Sequence, residues 1–325
     1  MTRVIAAPHE FNVDDLYLDL AGILGRRLYL KCEGFNFAGS IKMKAALGMI
    51  DQAERDGLIT PGMTLVESSS GNMGVALSMV ASSRGYRFVC VTDSRCTLAN
   101  RRLMEVFGAQ VVVITHADEV GGLLGARLRQ VRGLCSANEG FVWLNQYANQ
   151  ANWTAHHAST APEIARAFPA LDVLFVGAGT TGTLMGCARY FREHHPEVTI
   201  VAVDAIGSVT FGGAPAARVI PGVGTGVRPP LLDVTYVDDV VHVSEEDTVR
   251  ACHRLAERGF LLGGSTGTVV AGAAAWLEDN ARDGDPTAVA ISPDLGERYL
   301  DTIYYDKWLE DVYGPDVLAG ALAGK

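Results

Sequence analysis

The sequence lacks the paired cysteines that would indicate a structural metal or a disulfide framework. Six cysteines are scattered along 325 residues with no Cys-x-x-Cys pair, at Cys32, Cys90, Cys96, Cys135, Cys187 and Cys252. This spacing predicts reduced, buried thiols in a cytoplasmic protein. The histidine pairs 156–157 and 194–195 are adjacent in sequence, so their side chains diverge, and no metal site is expected.

The sequence also lacks an apolar run long enough to cross a bilayer. The longest run, 269–277, is far shorter than the ~20 residues that a spanning helix needs. Arg3 is followed by no apolar core and no cleavage site, so no secretory signal is expected. We therefore expect no membrane partner.

Basic residues are few. Lys and Arg number 27 against 37 Asp and Glu, which gives a net charge of −10 at pH 7. Nucleic-acid binding needs a basic surface, so no nucleic-acid partner is expected, although local basic pockets for small anions remain compatible with this charge. Hydrophobic residues make up 48% and charged residues 20%, which is typical of a globular chain long enough for two domains.

Strand-like and helix-like segments alternate along the chain, which predicts an α/β fold with mostly parallel sheets. The β-branched runs 88–92 and 111–114 enclose a helical segment, 98–107, and form one βαβ unit. Further strands are predicted at 63–67, 172–176, 199–203 and 287–291. Helices are predicted at 43–55, 73–84, 123–131, 158–168, 184–193, 245–258 and 269–280, and the Ala- and Gly-rich tail 318–325 is expected to be loosely ordered.

Residues 36–42, Asn-Phe-Ala-Gly-Ser-Ile-Lys, place Lys42 directly after a Gly-Ser turn and at the start of a predicted helix. Free amide groups and the helix dipole disfavour a cation there, and partial burial would lower the pKa of the amine further. A lysine with a lowered pKa suits Schiff-base chemistry. A solvated lysine near a helix start has the same local sequence, so this segment alone does not distinguish the two.

Residues 68–74, Ser-Ser-Ser-Gly-Asn-Met-Gly, join a predicted strand to an alanine-rich helix. The hydroxyl groups and the free backbone N–H groups of such a loop are suited to closing around a carboxylate. An ordinary serine N-cap would account for one serine, but not for three serines followed by Gly71 and Asn72.

Residues 177–183, Gly-Ala-Gly-Thr-Thr-Gly-Thr, lie between a predicted strand and a helix. This is the arrangement of a phosphate cradle, because glycines allow close backbone approach and the helix dipole favours an anion. The segment also meets the dinucleotide fingerprint, with Asp204 about 22 residues beyond the last glycine. A nicotinamide-dependent oxidoreductase is therefore an alternative. The position of the fingerprint, halfway along the chain, argues against it.

Residues 263–268, Gly-Gly-Ser-Thr-Gly-Thr, open another predicted helix. A neutral hydroxyl such as that of Ser265 beside a pyridine nitrogen would leave the nitrogen unprotonated, which favours elimination and replacement over transamination. Taken alone, the segment would be read as an N-capped helix.

Taken together, the lysine, the carboxylate loop, the phosphate cradle and the serine resemble the cysteine synthase and cystathionine β-synthase family of fold-type-II pyridoxal-phosphate enzymes. Segments 145–149, 221–224 and 296–300 match further motifs, so the resemblance covers nearly the whole chain. It implies a fold like that of tryptophan synthase β, with two domains that each contain an open, twisted, mostly parallel sheet with helices on both faces. The larger, cofactor-binding domain would comprise residues 1–34 and 147–325, and the smaller, mobile domain residues 35–146.

The resemblance also implies roles for individual residues. Lys42 would bind pyridoxal 5′-phosphate and, once freed, would act as the general base that removes the α-proton of the substrate. The other cofactor-binding residues implied are Asn72, Gly179, Thr180, Thr181, Gly182, Thr183 and Ser265. The substrate-binding residues implied are Ser69, Ser70, Gly71, Asn72, Gln146, Tyr147, Gly222 and Arg228.

Within the family, segments 144–153, 203–209 and 299–304 are similar to the branch that makes N-(2-amino-2-carboxyethyl)-L-glutamate. That branch joins O-phospho-L-serine to L-glutamate through an aminoacrylate, as a step towards 2,3-diaminopropionate for a siderophore or peptide natural product. Gly179 stands where a serine is expected in this branch, and Met43-Lys44 replaces the usual Asp-Arg. These departures concern the acceptor and not the cofactor.

A phosphate leaving group predicts a nearby arginine, because a guanidinium group pairs bidentately with phosphate. Arg218 and Arg228 flank the 221–226 loop and are the candidates, with a solvated surface arginine as an equal alternative for each. An ordinary cysteine synthase that uses sulfide is an alternative function. A non-catalytic binding protein is another, but the intact set of Lys42, Asn72 and Ser265 argues against it. The resemblance further implies a homodimer that acts on small amino-acid substrates.

Overall fold

The computed structural model describes residues 4–118, 121–280 and 286–318. Two mostly parallel sheets with helices packed against them form the fold, which confirms the predicted α/β class. The tail that we expected to be loosely ordered lies, from residue 319 onward, outside the described residues.

The strands alternate with helices through most of the chain. In chain order they are β1 (Tyr17–Asp19), β2 (Leu28–Cys32), β3 (Thr64–Ser68), β4 (Arg87–Asp93), β5 (Gln110–Ile114), β6 (Phe141–Trp143), β7 (Val173–Gly177), β8 (Thr199–Ala205), β9 (Asp239–Val243) and β10 (Ala288–Ser292). The α-helices are α1 (Ala21–Leu24), α2 (Lys42–Arg55), α3 (Asn72–Arg84), α4 (Leu98–Val106), α5 (Gly122–Ala137), α6 (Gln150–Ala158), α7 (Thr160–Ala167), α8 (Gly182–His194), α9 (Glu245–Ala256), α10 (Gly264–Asn280) and α11 (Asp306–Tyr313).

The larger sheet has six strands in the order β1-β2-β10-β7-β8-β9. Only the β1–β2 pair is antiparallel, at one edge. All five residues of β10 are buried, as is usual for a central parallel strand covered on both faces. Apolar clusters lie on each side of this sheet, one built around α7 and α8 and the other around α10.

The smaller sheet has four parallel strands in the order β5-β4-β3-β6. Its strands lie within residues 35–146, the range predicted for the smaller domain, and the larger sheet lies outside that range. The domain boundaries and the mobility of the smaller domain stay predictions. Helices α2 and α3 pack against this sheet through a shared cluster of small apolar residues and methionines.

Four helices begin at one cleft, and this positions the site. Lys42 is the first residue of α2, Asn72 of α3 and Gly182 of α8, while Ser265 is the second residue of α10. All four line the cleft, so four helix N-termini face it. Parallel strands with crossover helices produce this arrangement, because each loop after the carboxyl end of a strand leads into a helix start.

Most predicted elements are confirmed to within a few residues, and the helix predicted at 158–168 is α7. The helix before it, α6, was not predicted, and it is separated from α7 at Ser159, whose backbone is not helical (φ −129°, ψ −72°). None of the helices in the described ranges is long and apolar enough to cross a membrane. The same residues contain no group of three or more His, Cys, Asp or Glu arranged to hold a metal ion, and all six cysteines are free.

Candidate active site

A cleft of about 790 Å³ opens at the helix starts described above. It brings together residues that are far apart in sequence and that follow strands of both sheets. Its lining includes nearly all the predicted site residues, namely Lys42, Ser69, Ser70, Gly71, Asn72, Gln146, Tyr147, Gly179, Thr180, Thr181, Gly182, Thr183, Gly222 and Ser265. The exception is Arg228, which is exposed and does not line the cleft, because the chain has left it after Gly226.

Lys42 presents its amine to the cleft from the first turn of α2. Burial lowers the pKa of the Lys42 amine from its ordinary value, and the negative charge of Asp294 opposes part of that shift. Burial dominates, so the neutral amine is more accessible at Lys42 than at a solvated lysine. A neutral amine is the form that attacks a carbonyl or accepts a proton.

Asp294 is a buried carboxylate that orders the neighbouring side chains. Its Oδ2 accepts hydrogen bonds from Asn72 Nδ2 at 2.8 Å and from the Tyr299 hydroxyl at 2.5 Å. Asn72 Oδ1 in turn accepts from Arg298 Nη1 at 2.6 Å. Burial raises the pKa of Asp294, whereas these donors and the charge of Lys42 favour its ionised form. The amide of Asn72 therefore has one fixed orientation at the start of α3.

The serine loop between β3 and α3 is held by buried hydrogen bonds. Ser69 Oγ accepts from the backbone N–H of Gly71 at 3.2 Å and of Gly74 at 2.9 Å. Gln146 Nε2 donates to the Ser68 carbonyl at 2.8 Å, so Gln146 and this loop are joined. The loop is thus preorganised at a helix start, where an anion is favoured.

Behind the serine loop lies Glu67, a fully buried carboxylate that sequence analysis missed. It accepts from the backbone N–H of Ser68 at 2.7 Å and of Gln146 at 2.9 Å, and from Trp143 Nε1 at 3.1 Å. Burial raises the pKa of Glu67 to about 7, although these hydrogen bonds oppose the shift. Its position at the end of β3 was the available signal, because side chains at the carboxyl ends of parallel strands face the site.

The loop from Gly179 to Gly182 has the shape of an anion cradle. Thr181 has a left-handed backbone (φ +65°), which is rare for a β-branched residue and marks a tightly determined turn before α8. Its buried Oγ1 has no hydrogen-bond partner among the described residues. A Cβ at Gly179 would lie 2.6 Å from the Gly222 carbonyl oxygen, and one at Gly182 would lie 2.1 Å from Asn152 Oδ1. Only glycine therefore fits at these two positions.

Ser265 lies against the loop that contains Gly222. Its hydroxyl donates to the Pro221 carbonyl at 3.4 Å, and a Cβ at Gly222 would lie 2.0 Å from Ser265 Oγ. Gly222 also has φ +108°, which a residue with a side chain rarely adopts. The glycine thus leaves room for the Ser265 hydroxyl at the wall of the cleft.

Besides Arg298, which donates to Asn72, three arginines line the cleft, at Arg95, Arg127 and Arg218. Arg127, on α5, is 4% exposed, and its Nε lies 3.3 Å from Asp93 Oδ2, while its Nη1 has no hydrogen-bond partner in the described part of the chain. Arg95 pairs with the same aspartate at 2.9 Å. Burial lowers the pKa of Arg218, and the charge of Arg95 adds to that shift, so the two guanidinium groups repel each other.

Of these three, only Arg218 was a candidate from the sequence. Arg95 follows the end of β4, which was a usable signal, because the loops after parallel strands form the site. Arg127 lies in a helix with several other arginines, and nothing in the sequence distinguishes it from them. Together the three make a cationic wall in a chain whose net charge is −10.

Comparisons with known proteins agree with this geometry. The model of the family described as pyridoxal-phosphate dependent enzyme matches residues 17–294. The chain is 42% identical over 286 residues to N-(2-amino-2-carboxyethyl)-L-glutamate synthase from Ralstonia nicotianae. The aligned region covers 87% of this chain and 83% of that protein.

Solved structures of related enzymes have the same fold. An O-ureido-L-serine-bound mutant of O-ureido-L-serine synthase matches with a TM-score of 0.79 and 34% identity over 92% of this chain and 91% of that one. The O-acetylserine dependent cystathionine β-synthase from Helicobacter pylori matches with a TM-score of 0.85 and 25% identity over 94% and 100% of the two chains.

Proposed function

The chain belongs to the pyridoxal-phosphate-dependent enzyme family, and on that premise we propose that it replaces the phosphate of O-phospho-L-serine with the amine of L-glutamate. The product would be N-(2-amino-2-carboxyethyl)-L-glutamate, a precursor of 2,3-diaminopropionate for a siderophore or peptide natural product. The single observation that carries this choice of substrates is the wall of three arginines in the cleft. The relative from Ralstonia nicotianae, which is named for this product, supports it.

The residues of the cleft fit pyridoxal phosphate. Lys42 is the amine available for covalent attachment, and the 179–183 loop offers a helix N-terminus, glycines and the unpartnered hydroxyl of Thr181 to a phosphate group. Ser265 would supply a neutral hydroxyl for the pyridine nitrogen, and Asn72, whose amide is held by Asp294 and Arg298, would bind the ring oxygen. With the cofactor assigned to this loop, the nicotinamide alternative for the fingerprint is no longer needed.

Bound pyridoxal phosphate supplies an electron sink that makes the α-proton of an amino acid acidic and allows its β-substituent to leave. Lys42 is the group that we assign to removal of that proton, because burial keeps its amine readily neutral. The substrate carboxylate would lie at the start of α3, where Ser69, Ser70 and the amide groups of the loop converge. Gln146 and Glu67 hold this loop in place, so the α-carbon is oriented before the reaction.

The arginines divide between the two substrates. Arg218 precedes the Gly222 loop, on the Ser265 side of the cleft, and we assign it to the leaving phosphate. Arg95 and Arg127 are joined through Asp93, and we assign them to the two carboxylates of L-glutamate. The net reaction breaks the Cβ–O bond to phosphate and forms a Cβ–N bond to the glutamate amine, which loses a proton.

A product assay with matched donors and acceptors tests the proposal. O-phospho-L-serine, O-acetyl-L-serine and L-serine would each be incubated with enzyme and with either L-glutamate or sulfide, and the products identified by mass spectrometry. We expect the glutamate adduct from O-phospho-L-serine at a higher kcat/KM than any cysteine product. Cysteine as the main product would show a cysteine synthase instead, and no turnover with any pair would support a non-catalytic binding protein.

The assembly and location follow from family resemblance. We propose a homodimer in the cytoplasm, without nucleic-acid or membrane partners. Light scattering coupled to size-exclusion chromatography tests the assembly, with twice the 34.6 kDa chain mass as the expected result.

A further inference from the structure

A line of side chains leads from the cradle into the protein interior, away from the cleft. Thr183, which lines the cleft, has its Oγ1 3.2 Å from His156 Nε2. His156 Nδ1 lies 3.0 Å from Thr160 Oγ1, and Lys44 Nζ donates to that same oxygen at 3.4 Å. The line therefore connects α8 with α2, the helix that begins at Lys42.

Close helix packing makes this line possible. Helices α6 and α8 meet at glycines of α8, where a Cβ at Gly186 would lie 2.6 Å from the Cβ of His156. His156 is completely buried, and its imidazole reaches Thr183 on one side and Thr160 on the other. A larger residue at Gly186 would push the helices apart and break both contacts.

Lys44 sets the direction of the hydrogen bonds, because an ammonium group donates and cannot accept. It is held by Glu33 at 3.0 Å and Glu163 at 2.8 Å, and Lys31 bonds the same two carboxylates from the other side. Thr160 Oγ1 accepts from Lys44 and can give its own proton to His156 Nδ1. In that arrangement the proton of the imidazole lies on Nε2 and points to Thr183 Oγ1, which leaves the Thr183 proton free to turn to the cleft.

A neutral imidazole is needed for this direction, because an imidazolium would donate from both nitrogens. Burial holds the pKa of His156 well below its ordinary value, and the positive charges of Lys44 and Lys42 act in the same direction. Both lysines act on His156 with the same sign, so each favours the neutral form.

We propose that Lys44, Thr160 and His156 form a one-way hydrogen-bond relay that fixes the Thr183 hydroxyl as a donor to the cofactor phosphate. His156 is then a positioning residue, since it acts through Thr183 and does not touch the cofactor. The inference rests on the proposed placement of the phosphate in the 179–183 cradle. It also gives Lys44 a function beyond the salt-bridge cluster, in the helix that carries the reactive lysine.

The tautomer of His156 is the direct test. In protein loaded with pyridoxal phosphate and labelled with ¹⁵N-histidine, the relay predicts a neutral imidazole with its proton on Nε2, assigned by the loss of signals in His156→Phe. A proton on Nδ1, or an imidazolium, would overturn the relay. The tautomer is measured on the wild-type protein, and His156→Phe serves only to assign the signals.

Thr160→Val tests the effect on the cofactor, with Thr248→Val as the matched control. Thr248 is another buried threonine, bonded to Thr268 Oγ1 at 3.0 Å and away from the cradle. We expect Thr160→Val to weaken the binding of pyridoxal phosphate to apoenzyme about three- to tenfold, the range of one neutral hydrogen bond, and to shift the ³¹P resonance of the bound phosphate. The control should change neither quantity.

Equal cofactor affinity and equal ³¹P shifts in the two variants would overturn the relay, whatever their stabilities. Failure of the wild-type protein to bind pyridoxal phosphate would be a different result. It would overturn the assignment of the cradle, and with it the role of Thr183, whereas the Nδ1 tautomer would overturn the relay alone.

Discussion

Gly222 and Ser265 are in such close contact that the glycine cannot accept a side chain: a Cβ at Gly222 would lie 2.0 Å from Ser265 Oγ. The backbone of Gly222, with φ +108°, adds strain to any substitution. The hydroxyl assigned to the pyridine nitrogen therefore depends on a residue in another loop.

We accordingly expect Gly222→Ala to displace Ser265 and to weaken the binding of pyridoxal phosphate about 5- to 150-fold, since backbone strain of this kind costs about 1–3 kcal/mol. Gly226→Ala is the matched control in the same loop. No described atom lies within 4 Å of the Cβ position of Gly226, and the φ angle of Gly226 is not in the left-handed range. Cofactor affinity is measured by titration of the apoenzyme. Similar affinities in the two variants would contradict the steric argument.

The assignment of the arginines predicts separable kinetic effects. Arg218→Met should raise KM for O-phospho-L-serine about 10- to 100-fold while changing KM for O-acetyl-L-serine little, because a charged hydrogen bond contributes about 1.5–3 kcal/mol. Arg127→Met should instead raise KM for L-glutamate by a similar factor. Initial rates with each substrate varied in turn measure both effects.

Arg228→Ala provides the control for this series, since Arg228 is exposed and lies outside the cleft. It should leave all three KM values within about twofold of wild type, as is usual for surface substitutions. If Arg218→Met changed the two donors equally, Arg218 would not recognise the phosphate.

The predicted attachment point gives a chemical test. Borohydride reduction of the wild-type protein with pyridoxal phosphate should add the cofactor mass irreversibly to the peptide that contains Lys42, and Lys42→Ala should lose both this adduct and turnover. The lowered pKa of the amine favours attachment at this lysine over exposed ones. Stable labelling of Lys307 alone, an exposed lysine, would contradict the assignment.

Sequence reasoning found the parts of this site that are local in the chain. Each glycine-rich segment leads into a helix, so residues such as Lys42, Asn72 and Ser265 were recognisable from the strand-loop-helix pattern and the family resemblance. The strands β7 and β8 were also predicted to within about two residues, because buried β-branched runs have few alternative structures.

What sequence reasoning missed depends on long-range contacts. Arg127 is exceptional only because the fold buries it beside Asp93, and helix periodicity does not show that. Similarly, α6 was missed because its sequence has no strong apolar face, and it is held by contacts of Asn152 with Thr180 and of His156 with Thr183. Arg228 was a candidate because it is close in sequence to Gly222. The last residue of this loop that lines the cleft is Gly226, and Arg228, two residues later, lies outside it.

The cluster of Lys31, Glu33, Lys44 and Glu163 predicts a large effect on stability. Glu33 Oε1 bonds both lysines at 3.0 Å, and the side chains of Glu33 and Lys31 are fully buried. Glu33→Gln would leave two ammonium groups with one carboxylate, and breaking a buried ion pair typically costs about 3–5 kcal/mol. Asp311→Asn, which breaks the exposed pair with Lys307, should cost under about 1 kcal/mol. Urea unfolding measures both, and comparable losses would contradict the argument.

Glu67 gives a prediction about pH. Its pKa is raised by burial from an ordinary value of 4.5 to about 7 in the folded protein. Between these values the folded state holds a proton that the unfolded state has lost, so the contribution of Glu67 to stability is fully present below pH 4.5 and is lost as pH rises towards and through 7. Each pKa unit corresponds to about 1.4 kcal/mol, so the total loss from this group is about 3 kcal/mol.

Glu67→Gln removes the titrating group, and the expected result is a flatter dependence of the unfolding free energy on pH between 5 and 8 than in wild type. The absolute stability changes as well, because the amide nitrogen of glutamine cannot accept the N–H bond from Gln146 that Glu67 Oε2 accepts. The diagnostic quantity is therefore the slope, measured by urea unfolding at several pH values. Glu105→Gln, at an exposed glutamate, should keep the wild-type slope. Parallel curves for wild type and Glu67→Gln would mean that Glu67 stays ionised across this range, in which case its three N–H donors outweigh the cost of burying its charge.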